Sequence, residues 1–90
     1  MTSERRKEIE GRAINTYGEQ PQVDVAIEEM SELTKALLKY RIGFATLDEI
    51  REEAGDVQIM LDQMRIIFGD TSSQEEYKLN RLWARMEAET

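Results

Sequence analysis

The sequence of 90 residues contains no cysteine and no histidine. Without cysteine it has neither a disulfide framework nor a thiolate metal site, which suits a reducing compartment. Without histidine it lacks catalytic triads with a histidine base, and it lacks the Glu-x-x-His ligand pairs of di-iron helical bundles. Any chemistry must therefore use carboxylates, lysine, arginine, tyrosine, amides or hydroxyls.

Long apolar runs and an excess of positive charge are also missing. No run of about 18 apolar residues indicates a membrane span, and residues 1–12 are too charged for a signal peptide. We therefore expect a soluble, cytoplasmic protein with no membrane partner. The formal net charge of −7 argues against a nucleic-acid polymer as the main ligand. It suits cations, or anionic substrates that arrive with their cations.

Apolar residues recur every three to four positions and predict four helices. The expected ranges are 3–16, 21–42, 47–68 and 74–88. Thr46 with Glu49, and Ser73 with Glu76, have the spacing of a capping box. Because the connections are short and no strand pattern occurs, we expect one all-α domain over residues 1–90. Its predicted architecture is an antiparallel four-helix bundle.

Each predicted helix has an apolar face for the core. On the last helix, the residues expected to be buried are Leu79, Leu82, Trp83 and Met86. The two central helices carry a second apolar face, formed by Val25, Ala36, Tyr40, Met60 and Ile67. This is more apolar surface than so small a bundle can hide. The sequence therefore predicts self-association as a homodimer or homotetramer.

The two central helices present acidic side chains in the same pattern, displaced by 24 positions. The first group is Glu28, Glu29 and Glu32, and the second is Glu52, Glu53 and Asp56. The neighbouring apolar positions keep the same offset. On a helical wheel Glu29 and Glu53 lie beside the apolar stripes, so packing these stripes together would bring carboxylates together. Such a cluster of oxygen ligands is a site for a hard divalent cation.

Acidic pairs at this spacing are also typical of solvated helix faces, and 19 acidic residues produce several by chance. Three features favour a metal site. Each helix carries a like-charge pair at i, i+4, which destabilises a helix by a few tenths of a kcal/mol. Neither Glu29 nor Glu53 is followed by a basic residue at i+3 or i+4. The pattern also has the same phase relative to both core stripes.

Carboxylate ligands favour Mg²⁺, with Mn²⁺ as a substitute, over zinc or copper. A carboxylate-held Mg²⁺ beside bound water is suited to hydrolysis of a phosphoanhydride. Two other classes of protein stay open on the same residues. One is a non-catalytic acidic helical interaction module, and the other is a bundle that a cation stabilises without turnover.

The segments EEMSE (28–32) and EAGD (53–56) are separated by 20 residues. Together they resemble the E-E-x-x-E…E-x-x-D signature of MazG-like, all-α nucleoside triphosphate pyrophosphohydrolases of the small single-domain type. The resemblance covers residues 13–86. It implies Mg²⁺-dependent cleavage of a (d)NTP between the α- and β-phosphates, giving a (d)NMP and pyrophosphate. A phosphoribosyl-ATP pyrophosphatase, which shares the fold and the carboxylates, is the alternative within this class.

The resemblance also assigns roles to individual residues. Those implied to hold the metal and to take part in catalysis are Glu29, Glu32, Glu53 and Asp56. Glu28 is implied as a second-shell or second-metal residue, and which carboxylate activates water stays open. The candidate substrate contacts are Lys78, Asn80 and Arg81 on the last helix, Lys35 beyond the first motif, and Gln20 and Gln22 near the first turn.

Overall fold

The computed structural model describes residues 1–89, and these form four α-helices without a strand. The helices are α1 (Ser3–Tyr17), α2 (Glu19–Arg41), α3 (Leu47–Phe68) and α4 (Ser72–Glu89). The predicted all-α class is therefore confirmed, and the predicted helix ends agree with the observed ones to within two residues. Among the described residues, no helix is both long enough and apolar enough to cross a membrane.

Local side-chain hydrogen bonds mark the starts of α3 and α4. The Thr46 hydroxyl accepts from the Glu49 N–H, and the Glu49 carboxylate accepts from the Thr46 N–H, so the predicted capping box of α3 is confirmed. The capping box predicted at Ser73 is wrong, because α4 begins at Ser72 and Ser73 lies inside it. Thr71 instead donates its hydroxyl to Glu75 Oε2 at 2.6 Å across the first turn.

A single residue, Gly18, separates α1 from α2. Its φ of 98° and ψ of 154° lie in a region that is essentially restricted to glycine. The Gly18 N–H donates to the carbonyl of Ile14 at 2.8 Å and ends α1. Pro21 lies in the first turn of α2, where a missing N–H breaks no helical hydrogen bond. The chain therefore changes direction within one residue, and this turn lets α1 pack against the rest of the fold.

The core lies where α1, α2 and α3 pack together. α2 packs mainly against α3, and α1 packs against both. The buried apolar residues are Ile14, Ala26, Val57 and Met60. Met60 thus belongs to this core and not to the predicted second face, while its predicted companion Tyr40 is exposed.

The predicted burial of α4 is wrong for the single chain. α4 packs against none of the other described helices, and Trp83 and Leu79 are 62% and 63% exposed. Three helices therefore pack together where a four-helix bundle was predicted. The first turn of α4 is tied to the end of α3 by an Arg65–Glu75 ion pair of 2.8 Å, but its apolar stripe lacks a surface to cover it. Helical periodicity identifies such a stripe without identifying its partner.

Candidate metal centre

Carboxylates from α2 and α3 converge at one point of their interface. One oxygen from each of Glu29, Glu53 and Asp56 lies within 4.8 Å of the other two. The backbones come close here because small or β-branched residues line the interface. Ala26, one turn before Glu29, is 3% exposed, and Val57, directly after Asp56, is 9% exposed. The acidic cluster, defined as Glu29, Glu53 and Asp56, is thus fixed by helix packing and not by a loop.

The acidic cluster carries unbalanced negative charge. The pKa of the Glu29 carboxyl is raised, first because partial burial removes water from it, and then because Asp56 acts on it through charge and a hydrogen bond. The charges of Glu53 and Glu32 raise it further. Proximity of like charges has this effect because it disfavours the ionised form. A bound divalent cation would reverse the effect.

The size of the acidic cluster fits a small hard cation. Mg²⁺ binds oxygens at about 2.1 Å, so ligands on opposite sides of it are about 4.2 Å apart. The three oxygens all lie within 4.8 Å of one another, which is close to this separation. Three carboxylates would also leave coordination positions for water and for phosphate oxygens, which is how Mg²⁺ is commonly held.

The fourth predicted ligand, Glu32, lies beside the acidic cluster and not within it. Its side chain is exposed, and Oε1 is 4.0 Å from the Lys35 ammonium. It remains close enough for its charge to act on Glu29. Glu28, the predicted second-shell residue, is exposed. The structure therefore brings three of the four predicted metal ligands together and leaves the fourth paired with a lysine.

A groove of about 160 Å³ continues from the acidic cluster between α2 and α3. Glu32 and Glu53 line it, together with the cations Lys35 and Lys39. Lys35 was predicted as a substrate contact, whereas Lys39 was missed. Its signal in the sequence is its position four residues beyond Lys35, which places both lysines on one side of α2. Glu49 and Glu52 also line the groove, so its two lysines lie among four acidic side chains.

The other predicted substrate contacts are not assembled around the acidic cluster. Lys78, Asn80 and Arg81 are exposed on α4, which packs on none of the other helices. Gln20 is also exposed and donates to Asp24 Oδ1 at 3.2 Å. Within the described part of the chain, none of these four residues lines the groove beside the acidic cluster.

Gln22, the remaining candidate, has a structural role. It is 7% exposed, and its amide donates to Gln63 Oε1 at 2.6 Å inside the α2–α3 interface. A side chain already paired in the core is poorly placed to contact a nucleotide. The prediction of Gln22 as a base or ribose contact is therefore not supported by its position.

Comparison of the chain with protein-family models, with curated proteins and with solved structures finds no match. The geometry of the acidic cluster, together with the signature in the sequence, therefore carries the functional proposal.

Proposed function

We propose that the protein is a cytoplasmic, Mg²⁺-dependent nucleotide pyrophosphohydrolase of the MazG-like type. It would cleave a (d)NTP between the α- and β-phosphates and release a (d)NMP and pyrophosphate. The observation that carries this proposal is the convergence of Glu29, Glu53 and Asp56 within 4.8 Å. These residues come from two helices and occupy three positions of the E-E-x-x-E…E-x-x-D signature.

The acidic cluster would hold the ion, which Mn²⁺ could replace. Glu32 would complete the set by turning from Lys35, since an exposed pair at 4.0 Å is weak. Glu28 would act from the second shell. When bound, the ion would lower the pKa of a coordinated water and offset the charge of the phosphates. The chain's own part is to fix these carboxylates on packed helices and to keep basic groups beside them.

Lys35 and Lys39, which line the groove, would contact the phosphates that extend from the ion. Further contacts would come from α4 if a second copy of the chain supplied it. We propose that an antiparallel four-helix arrangement forms in this way, in a homodimer or homotetramer. Lys78, Asn80 and Arg81 would then reach a site that they do not reach within one chain. The exposed apolar stripe of α4 supports this assembly.

Pyrophosphate release from a panel of (d)NTPs, with Mg²⁺, Mn²⁺ or EDTA, tests the proposal. We expect turnover with either metal and none with EDTA. Asp56→Asn should abolish turnover while the helical circular dichroism is kept. Asp48→Asn is the matched control, since Asp48 lies on the same helix but is 88% exposed and pairs with Arg51. Equal activity of the two variants would refute the assignment of Asp56.

Other outcomes would point to the alternative classes. Turnover of phosphoribosyl-ATP alone would indicate the related pyrophosphatase. A higher melting temperature with Mg²⁺ but no turnover of any nucleotide would indicate a structural cation site. An acidic interaction module predicts no turnover, no effect of Mg²⁺, and a higher melting temperature for Asp56→Asn because repulsion with Glu29 is relieved.

A further inference from the structure

A second group of charged residues joins α1 to α3, apart from the acidic cluster. The Arg6 guanidinium on α1 donates through Nε to Asp62 Oδ2 on α3 at 2.7 Å. The same Nε lies 3.6 Å from Glu10 Oε2, one turn further along α1. Glu10 is only 4% exposed. One guanidinium therefore faces two carboxyl groups at a contact between two helices.

The Glu10 oxygen that faces Arg6, Oε2, has an unmet hydrogen-bonding requirement, because 3.6 Å is an ion-pair distance that is too long for a hydrogen bond. Glu10 Oε2 is buried, and among the described residues it has no hydrogen-bond donor. An ionised carboxylate left in this state is costly, whereas a protonated carboxyl can donate to a neighbouring carboxylate. Asp62 is that neighbour. Protonation of Glu10 therefore gives this oxygen a hydrogen bond that, among residues 1–89, it otherwise lacks.

The pKa values of the two carboxyl groups shift in opposite directions, as expected when two groups share one proton. Burial raises the pKa of Glu10 to about 7, and the hydrogen bond and charge of Asp62 add to this effect. The positive charge of Arg6 acts in the opposite direction and lowers the pKa. For Asp62, burial acts upwards, but hydrogen bonds from Glu10, Arg6 and Gln58 lower the pKa overall. The proton thus belongs to Glu10 and the negative charge to Asp62.

Other charged groups near the pair lie around an open cavity of about 430 Å³. Lys7 lines it from α1, Arg65 from α3, and Asp70 from the segment that follows α3. α2, which packs against both helices, adds no charged side chain to this lining within the described part of the chain. The cavity gives water a path to the pair, so its protonation can follow the pH of the solution.

We propose that Glu10 and Asp62 share one proton, and that this proton latches α1 onto α3. When the proton is lost, two adjacent negative charges face a single guanidinium, and α1 loosens from the α2–α3 pair. This latch is independent of the proposed enzymatic function. It would make the exposure of Ile14 and of the core beneath α1 depend on pH near neutrality.

The direction of the pH dependence follows from the two states of Glu10. Its pKa in the folded chain, about 7, is above the ordinary value of 4.5 that applies after unfolding. The stabilisation is therefore fully present below pH 4.5 and is lost as the pH rises through about 7. Asp62 has the opposite dependence and loses its contribution only at more acidic pH. Asp62 therefore stays ionised between pH 5 and pH 8, and the change expected within this pair over that range comes from Glu10.

Native-state hydrogen exchange, expressed relative to intrinsic exchange rates, tests the latch. In the wild-type protein the opening equilibrium of α1 should rise by up to about 100-fold between pH 5 and pH 8. Glu10→Gln should abolish this rise, because glutamine cannot ionise and can still donate to Asp62. Glu8→Gln is the control, since Glu8 is exposed on the same helix and pairs with Arg5. It should behave like the wild-type protein.

Equal pH dependence of α1 in wild-type and Glu10→Gln proteins would overturn the proposal. A pH-independent α1 in the wild-type protein would do the same. If Glu10→Gln does not fold, the wild-type Glu10 carboxyl can be titrated directly by ¹³C NMR. A midpoint near 7 supports the latch, and one near the ordinary value of 4.5 refutes it.

Discussion

The buried Gln22–Gln63 pair offers the sharpest test of how the α2–α3 interface is stabilised. The two side chains are 7% and 3% exposed, and one hydrogen bond of 2.6 Å joins them. Gln63→Met keeps the length of the side chain but leaves the Gln22 amide buried without its partner. We expect this to lower the free energy of unfolding by about 1–3 kcal/mol, the usual penalty for one unsatisfied buried polar group.

The double variant should lose less free energy of unfolding than either single variant. When Gln22 and Gln63 are both replaced by methionine, no polar group remains unsatisfied and apolar surface replaces amides in the interface. Such paired replacements are close to neutral or stabilising. Each single replacement leaves one amide unpaired, so the summed losses are about 2–6 kcal/mol, and the coupling free energy in the double-mutant cycle should offset most of that sum. Additive losses would show that the amides do not act on each other.

Urea unfolding at pH 6, at one fixed protein concentration, gives the four free energies of this cycle. Gln20→Met is the control on α2, because Gln20 is exposed and donates only to Asp24. It should change the free energy of unfolding by no more than about 0.5 kcal/mol. A loss for Gln63→Met as small as that of the control would show that the amide pair does not stabilise the interface.

Three further predictions concern local structure, and thermal or urea unfolding measures each of them. Thr46→Ala removes the hydroxyl that accepts from the Glu49 N–H and should destabilise by about 1 kcal/mol; no loss would show that the capping box is not important for stability. Gly11→Ala should stabilise α1 by about 1 kcal/mol, because a Cβ at Gly11 meets no atom within 4 Å. Gly18→Ala should instead destabilise by about 1–3 kcal/mol, since φ is 98°, a backbone conformation that residues with a Cβ rarely adopt.

The helices could be predicted from the sequence because their signals are local. Apolar periodicity depends only on neighbouring residues, and so does the Thr46–Glu49 capping box. The acidic cluster could also be predicted, because the 24-residue offset places Glu29 and Glu53 in the same phase on two helices that pack together. The same pattern predicted Glu32 as a ligand. Its side chain instead adopts a rotamer that pairs it with Lys35, and a rotamer cannot be predicted from sequence spacing.

Features that depend on tertiary packing could not be predicted in this way. Glu10 lies in the charged segment SERRKEIE and resembles a solvated acid, yet it is 4% exposed. The only local signal is Arg6 one turn earlier. Gln22 and Gln63 are polar residues that nothing in their neighbourhood marks as buried. Their pairing arises only when α2 and α3 pack in the observed register.

The apolar stripe of α4 leads to a last prediction, about assembly. Trp83 is 62% exposed, so Trp83→Ala should leave the folding of the single chain nearly unchanged. If a second copy covers the stripe, the same substitution removes a large aromatic contact worth about 2 kcal/mol or more, which weakens association about 30-fold. Sedimentation equilibrium should then show a lower average mass at micromolar concentration, with unchanged helical circular dichroism. Tyr77→Ala is the matched control, because Tyr77 is 67% exposed on α4 outside the stripe. An equal loss of mass in both variants, or in neither, would contradict burial of the stripe between copies.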